Sequence, residues 1–198
     1  MQPHGFVWRA SSEYPRQKPF SSLEYPANAL LHLGGPAGVG KSTLAKRLLA
    51  DALVLSPDGV YRELQSTTAL DNLDDTTSFA KAIDLMLERL QSALQTKQPV
   101  IVETTALYPG MRSTIARHAQ DHDRPCHLLM LDASPGTCRQ GVRRRGQDVP
   151  AEVVANYQRV WSELKPVLHN RKILKEHASV TVLDRRAINR LESITFSS

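Results

Sequence analysis

One short segment constrains this chain more than anything else in it: Gly35-Pro36-Ala37-Gly38-Val39-Gly40-Lys41-Ser42-Thr43. It matches G-x-x-x-x-G-K-[ST] in full. An apolar run, Ala29-Leu30-Leu31-His32-Leu33, precedes it. A stretch from Ser42 to about Ala52, with Leu44, Ala45, Leu48 and Leu49 on one side, follows it. Strand, glycine-rich turn and helix are the setting in which such a loop works. The glycines let the backbone turn tightly and point N–H groups inward, and at a helix N-terminus those donors bind phosphate oxygens. Residues 35–43 are therefore candidate nucleotide-binding residues. Lys41 is expected to reach the β- and γ-phosphates, and the Ser42 hydroxyl to ligate Mg²⁺. A chance match is roughly a one-in-a-hundred event at average composition. No N-K-x-D guanine motif occurs, which favours ATP over GTP.

The rest of the chain repeats the alternation begun at the loop. Ala52–Leu55, Val100–Val102, His127–Leu131 and Val180–Leu183 are further short apolar runs. Between them lie residues at helical spacing: Phe79, Ile83, Met86, Leu87, Leu90 and Leu94; then Met111, Ile115 and Ala119; then Val153, Val154, Tyr157, Val160 and Trp161. Pro135 and Pro150 each open a helix. The pattern predicts an α/β three-layer sandwich of the P-loop NTPase type, with about five parallel strands and helices on both faces. Residues 1–28 hold four prolines and show no helical or strand period. They read as an N-terminal extension, disordered or laid over the domain through Phe6, Trp8 and Phe20. The domain itself is expected over 29–198.

Composition narrows the class. A chain of 198 residues with 41% hydrophobic residues can bury its own core. No apolar run is long enough for a membrane-spanning helix, and no apolar h-region marks a secretory signal. Cys126 and Cys138 make neither a disulfide framework nor a zinc pattern, so a reducing, cytoplasmic setting is expected. The net charge of +5 permits a nucleic acid partner without demanding one. Arg139, Arg143, Arg144 and Arg145 crowd one stretch before Gly146, which suits a closing lid over phosphates or a solvated face.

In an open parallel sheet, ligands bind beyond the C-terminal ends of the strands. Those ends carry Ser56-Pro57-Asp58, Glu103-Thr104-Thr105, Asp132-Ala133-Ser134 and Asp184-Arg185-Arg186. Asp58 stands where an acceptor hydroxyl could be activated, and also where a helix cap could sit. Glu103 stands where a carboxylate could order Mg²⁺. Asp132 and Asp184 read better as structural caps.

Taken in order, Gly35–Thr43, Ser56-Pro57-Asp58, Val100–Thr105, Leu131-Asp132-Ala133 and Arg143-Arg144-Arg145-Gly146 resemble the P-loop kinases related to polynucleotide 5′-hydroxyl kinase, among the AAA-type and zeta-toxin-like small kinases. The likeness covers roughly residues 29–184. It implies that Asp58 is the general base, that Glu103 and Thr105 stand for the family's acid and threonine, and that Arg145 contacts ATP phosphates. Two positions depart from the family. Where an arginine often holds the acceptor's phosphate, three residues after the base, this chain has Tyr61, with Arg62 next. Where the lid helix often carries arginine and asparagine, it has Gly141 and Val142.

The resulting expectation is an ATP-dependent, Mg²⁺-assisted phosphotransferase. Lys41, Asp58 and Arg145 are its catalytic residues, Ser42 and Glu103 its metal site, and Tyr61, Arg62, Thr105 and Arg144 its acceptor contacts. The 5′-hydroxyl of single-stranded RNA or DNA leads as acceptor. A small-molecule kinase acting on an antibiotic, nucleoside, sugar or nucleotide-sugar is the nearest rival, favoured by Tyr61. An ATP-dependent regulatory protein is the rival from another class.

Overall fold

The computed structural model describes residues 7–9, 21–49, 52–67, 75–144, 150–168 and 171–197. The apolar runs form strands β3 (Leu30–Gly34), β4 (Leu53–Leu55), β5 (Val100–Glu103), β6 (Cys126–Leu131) and β7 (Ser179–Leu183). Every pairing among them is parallel, in the order β7-β6-β3-β5-β4. Parallel strands covered on both faces need apolar side chains on both, and β3 is buried at every position.

Helices cover both faces. On one, Leu31, Leu33, Ile101, Leu129 and Leu131 pack under α1 (Lys41–Leu48) and α8 (Arg185–Arg190) through Leu44, Ala45 and Ile188. On the other, Leu30, Val100 and Val102 meet α2 (Pro57–Gln65), α3 (Asp75–Leu94) and α4 (Pro109–Gln120). Leu128, Met130, Val180 and Val182 meet α6 (Ala151–Leu164) through Trp161 and Leu164. Helix α5 (Pro135–Arg144) follows β6, and the short helix α7 (Arg171–Glu176) precedes β7. Phe79, which shares the helical spacing of the buried stripe, is 39% exposed near the start of α3. Among the described residues, no helix is long and apolar enough to cross a membrane.

The extension supplies two strands that its prolines hide. β1 (Val7–Arg9) adds a sixth parallel strand to the sheet, beside β7. β2 (Ser22–Pro26) pairs in parallel with β8 (Ser193–Ser197) as a separate two-stranded sheet. Tyr25 is buried there, its ring tilted on His127 at 4.9 Å between centroids. Phe6 and Phe20 lie outside the described residues. A strand that borrows its partner from the far end of the chain needs no local period, so hydrophobic spacing does not reveal it.

Strand order reverses around β3: β4 and β5 lie to one side, β6 and β7 to the other. The loop after β3 therefore opens at the switch point, where the flanking loops diverge and leave a crevice.

Candidate active site

The phosphate loop spans the turn between β3 and α1. Gly38 has φ of 76°, a left-handed conformation that side chains rarely adopt. It is also crowded: a Cβ there would lie 2.1 Å from the Cys138 carbonyl oxygen. The loop rests against α5 backbone to backbone, and Gly141 makes the reciprocal approach, since its own Cβ would lie 2.1 Å from the Gly38 carbonyl oxygen. The departure at Gly141 thus has a tertiary reason. An arginine there would collide with the phosphate loop.

Lys41 is buried at the start of α1. Its Nζ donates to the carbonyls of Gly35 at 3.0 Å and Pro36 at 3.2 Å, which holds the ammonium inside the curl of the loop. The Ser42 hydroxyl donates to Glu103 Oε1 at 2.7 Å. These two residues are 61 positions apart, and the β3–β5 pairing brings them together. A hydroxyl and a carboxylate are hard oxygen donors of the kind Mg²⁺ takes. Among the described residues no group of three or more His, Cys, Asp or Glu could hold a metal by itself. A Mg²⁺ at Ser42 and Glu103 would depend on phosphate and water oxygens for the rest of its shell, which is the usual pattern for that ion.

The segment after β5 is braced from below. His32 Nε2 lies 2.8 Å from Thr104 Oγ1, and that oxygen accepts from the Ala106 N–H at 3.0 Å. The Gly35 N–H donates to the Thr105 carbonyl at 2.9 Å, so Thr105 touches the phosphate loop through its backbone. Ala106 has φ of 52°. Buried Arg112 donates to the carbonyls of Ala106 and Leu107 at 2.7 and 2.8 Å and holds that turn. Burial, with the charges of His177 and Arg112, pushes the His32 pKa down to about 3, so this histidine is neutral.

Asp58 is exposed in the first turn of α2. It is not the cap. Ser56 is the N-cap residue, and its Oγ accepts from the Gly59 N–H at 3.0 Å. Tyr61 is half-buried, with its ring edge-on to Phe79 at 5.9 Å between centroids. Arg62 is exposed and turns its Nε back onto the Asp58 carbonyl at 3.1 Å. Asp184 caps α8 as expected, accepting from the Ala187 N–H at 2.8 Å. Asp132 is not a helix cap. It accepts from Trp161 Nε1 at 2.7 Å and from Lys165 Nζ at 2.6 Å, tying the C-terminal half of α6 to the end of β6. Arg144 is exposed at the end of α5. Arg145, the expected lid arginine, lies outside the described residues.

Three residues at this rim escape the sequence reading. Tyr108 stands at the N-terminus of α4, and its hydroxyl accepts from Asn156 Nδ2 at 3.1 Å. Tyr157, spaced as a core residue of α6, is only half-buried. Burial raises its pKa first, then the nearby hydroxyl of Tyr108 and the carboxylate of Asp58. Tyr108 falls five residues after the end of β5, just past the span usually read for strand-end groups. Tyr157 is masked by the apolar stripe it belongs to.

Comparisons with known proteins agree with the fold. A family model described as an AAA domain matches residues 30–164. No curated protein matches the chain significantly in sequence. Among solved structures, the Deinococcus radiodurans tunicamycin resistance protein is similar at a TM-score of 0.53 and 21% identity, over 80% of this chain and 86% of that one. A gluconokinase from Sinorhizobium meliloti is similar at 0.51 and 14%, over 83% and 92%. A shikimate kinase from Acinetobacter baumannii is similar at 0.50 and 14%, over 77% and 82%. At these identities the likeness is one of fold, and the fold is that of the P-loop kinases.

Proposed function

Because the chain belongs to the AAA domain family and has a P-loop kinase fold, we propose that it transfers the γ-phosphoryl group of ATP to a hydroxyl. The observation that carries the reading is the Ser42–Glu103 hydrogen bond beneath a complete phosphate loop. A nucleotide-gated regulator needs the loop and its Mg²⁺ carboxylate; the exposed Asp58 beyond the next strand is what phosphoryl transfer to a hydroxyl adds.

In this reading the backbone N–H groups of residues 37–41 receive the phosphates, and the Lys41 ammonium leaves the Gly35 and Pro36 carbonyls for a phosphate oxygen. Ser42 and Glu103 would hold Mg²⁺, which supplies charge neutralisation on the phosphate oxygens. Asp58 accepts the proton of the acceptor hydroxyl. The hydroxyl oxygen bonds to the γ-phosphorus, the bond from that phosphorus to the bridging oxygen of ADP breaks, and ADP leaves. Arg145 is the lid arginine assigned to the charge of the transferring group, and Arg144 is assigned to the acceptor.

The acceptor divides two readings. A 5′-hydroxyl of RNA or DNA rests on the motif resemblance and the basic charge. A small-molecule hydroxyl is favoured by one observation, the packing of Tyr61 against Phe79 where an acceptor-phosphate arginine would stand. Transfer of labelled γ-phosphate to a 5′-hydroxyl oligonucleotide and to a panel of small hydroxyl compounds, with Lys41→Ala and Asp58→Asn controls, tests both. Transfer abolished by both substitutions is the expected result. ATP turnover that ignores every acceptor and survives Asp58→Asn would refute the phosphotransferase.

A further inference from the structure

The guanidinium of Arg185 stands beside the phosphate loop without belonging to it. Tertiary contacts put it there. The Asp132 N–H donates to the Leu183 carbonyl at 2.8 Å, which levels the end of β7 with the end of β6. The phosphate loop rests on that same end of β6, since a Cβ on Gly35 would lie 2.5 Å from the Leu131 carbonyl oxygen. Arg47, on α1, donates through Nη2 to the carbonyls of Ile188 at 2.8 Å and Leu191 at 3.1 Å, tying α8 to α1. The first residue of α8 is thereby carried to the start of α1. Arg185 Nη1 lies 3.8 Å from the point that a Gly40 Cβ would occupy, and Gly40 has no side chain to stand between them.

This cation has no other task. Arg185 is exposed, and among the described residues no hydrogen bond or ion pair engages its guanidinium. The adjacent carboxylate, Asp184, turns to the Ala187 N–H as the cap of α8. Arg47, by contrast, is spent on holding the two helices together.

The charges of a bound nucleoside triphosphate show where such a group is needed. The loop lysine serves the β- and γ-phosphates, and Mg²⁺ bridges oxygens of the same two. The α-phosphate is left with backbone N–H groups at the start of α1, which carry only partial charges. A guanidinium is charged at every working pH, and its planar fork of donors fits phosphate oxygens two at a time. Arg185 offers that fork at the start of α1, from outside the loop.

We infer that Arg185 is a donor-binding residue that holds the α-phosphate of the nucleotide. The inference rests on the nucleotide half of the phosphotransferase reading and deepens it, adding a cation from the far end of the chain to Lys41. No bond at the α-phosphorus changes when the γ-phosphoryl group moves. Arg185 therefore binds ground state and transition state equally, so it governs the KM for ATP and leaves kcat alone.

Calorimetric titration of the full chain with ATP and with inorganic tripolyphosphate tests the assignment. Tripolyphosphate carries the same row of phosphates with no nucleoside. Arg185→Ala should weaken both ligands alike, by roughly tenfold to a hundredfold, the worth of a hydrogen bond to a charged group. Arg185→Lys keeps the charge without the fork and should fall between wild type and Arg185→Ala. Arg190→Ala, at the other end of α8, is the control for general charge and should bind both ligands as wild type does. The unliganded Tm should be the same in all four proteins, which guards against a folding defect. Loss of ATP affinity with tripolyphosphate binding unmoved would put Arg185 on the nucleoside and overturn the inference. Equal losses in Arg185→Ala and Arg190→Ala would overturn it as well. Binding that Lys41→Ala weakens and Arg185→Ala does not would overturn the inference alone and leave the nucleotide site standing. A wild-type chain that takes up neither ligand would overturn both readings.

Discussion

Gly141→Ala sets two physical effects against each other, and the structure says which wins. Gly141 lies inside α5, where replacing glycine by alanine ordinarily stabilises a helix by about 1 kcal/mol. The same Cβ would sit 2.1 Å from the Gly38 carbonyl oxygen and 3.0 Å from the Gly38 Cα. Neither atom belongs to a flexible side chain. Ordinary carbon–oxygen contact begins near 3.2 Å, so the loop or the helix must yield by about 1 Å. Such overpacking costs about 1–3 kcal/mol. The net loss is roughly 0–2 kcal/mol, which lowers Tm by up to about 8 °C in a domain of this size. The functional loss should be larger than the stability loss, because a displacement of about 1 Å at a phosphate-binding group can cost on the order of a hundredfold in turnover. The assay is a thermal melt with and without ATP, alongside ATP affinity and turnover. Gly110→Ala is the matched control: it also lies in a helix, and a Cβ there meets nothing within 4 Å. Gly110→Ala should hold or slightly raise Tm with turnover unchanged. If Gly141→Ala behaves like Gly110→Ala in both melt and turnover, the backbone-to-backbone packing of α5 on the phosphate loop is refuted.

Further outcomes are expected. Ser56→Ala should cost about 1 kcal/mol of stability through the lost cap and leave turnover nearly intact. Asp58→Asn should do the reverse, lowering turnover roughly a hundredfold with Tm unmoved, and the same pair of melts and assays reads both. Glu103→Gln should abolish Mg²⁺-dependent turnover while far-ultraviolet circular dichroism stays unchanged; retained turnover would remove Glu103 from the site. Stability should fall in acid through His32. Its folded pKa of about 3 lies below the ordinary 6.5, so its contribution is complete above pH 6.5 and is lost as pH falls towards 3. The loss is about 1.4 kcal/mol per pH unit, or about 3 kcal/mol by pH 4.5. Urea midpoints measured across that range should lose part of their slope in His32→Gln, buried His127 and His177 supplying the remainder, and an unchanged slope would refute the assignment.

The nucleotide half of the site was legible because its chemistry is local. A tight turn, an ammonium and a hydroxyl must be consecutive to wrap one phosphate group, so Gly35–Thr43 announces itself in nine letters. The strands were legible for a related reason. Parallel strands buried on both faces must be apolar throughout, and all five apolar runs became strands of one sheet. The strand-end rule then pointed to Asp58 and Glu103 without saying what they touch.

Contacts made at long range were decided by tertiary structure. The pairing of β3 with β5 set Ser42 against Glu103 across 61 residues. The extension's strands were invisible because β1 and β2 find their partners in β7 and β8, at the opposite end of the chain. Gly141 read as a departure from a family pattern, and only the 2.1 Å approach to Gly38 shows it as a close-packing position. Asp58 read as a possible cap until Ser56 was seen in that role. Tyr108 and Asn156 carry no motif because a single hydrogen bond between a loop and a helix needs no spacing rule. Sequence by itself determined the phosphate loop and the layered fold, since both follow from local backbone geometry and from periodic burial. The meeting of Tyr108 with Asn156 was decided by folding alone, since a strand-end loop and a helix converge there only in the folded chain.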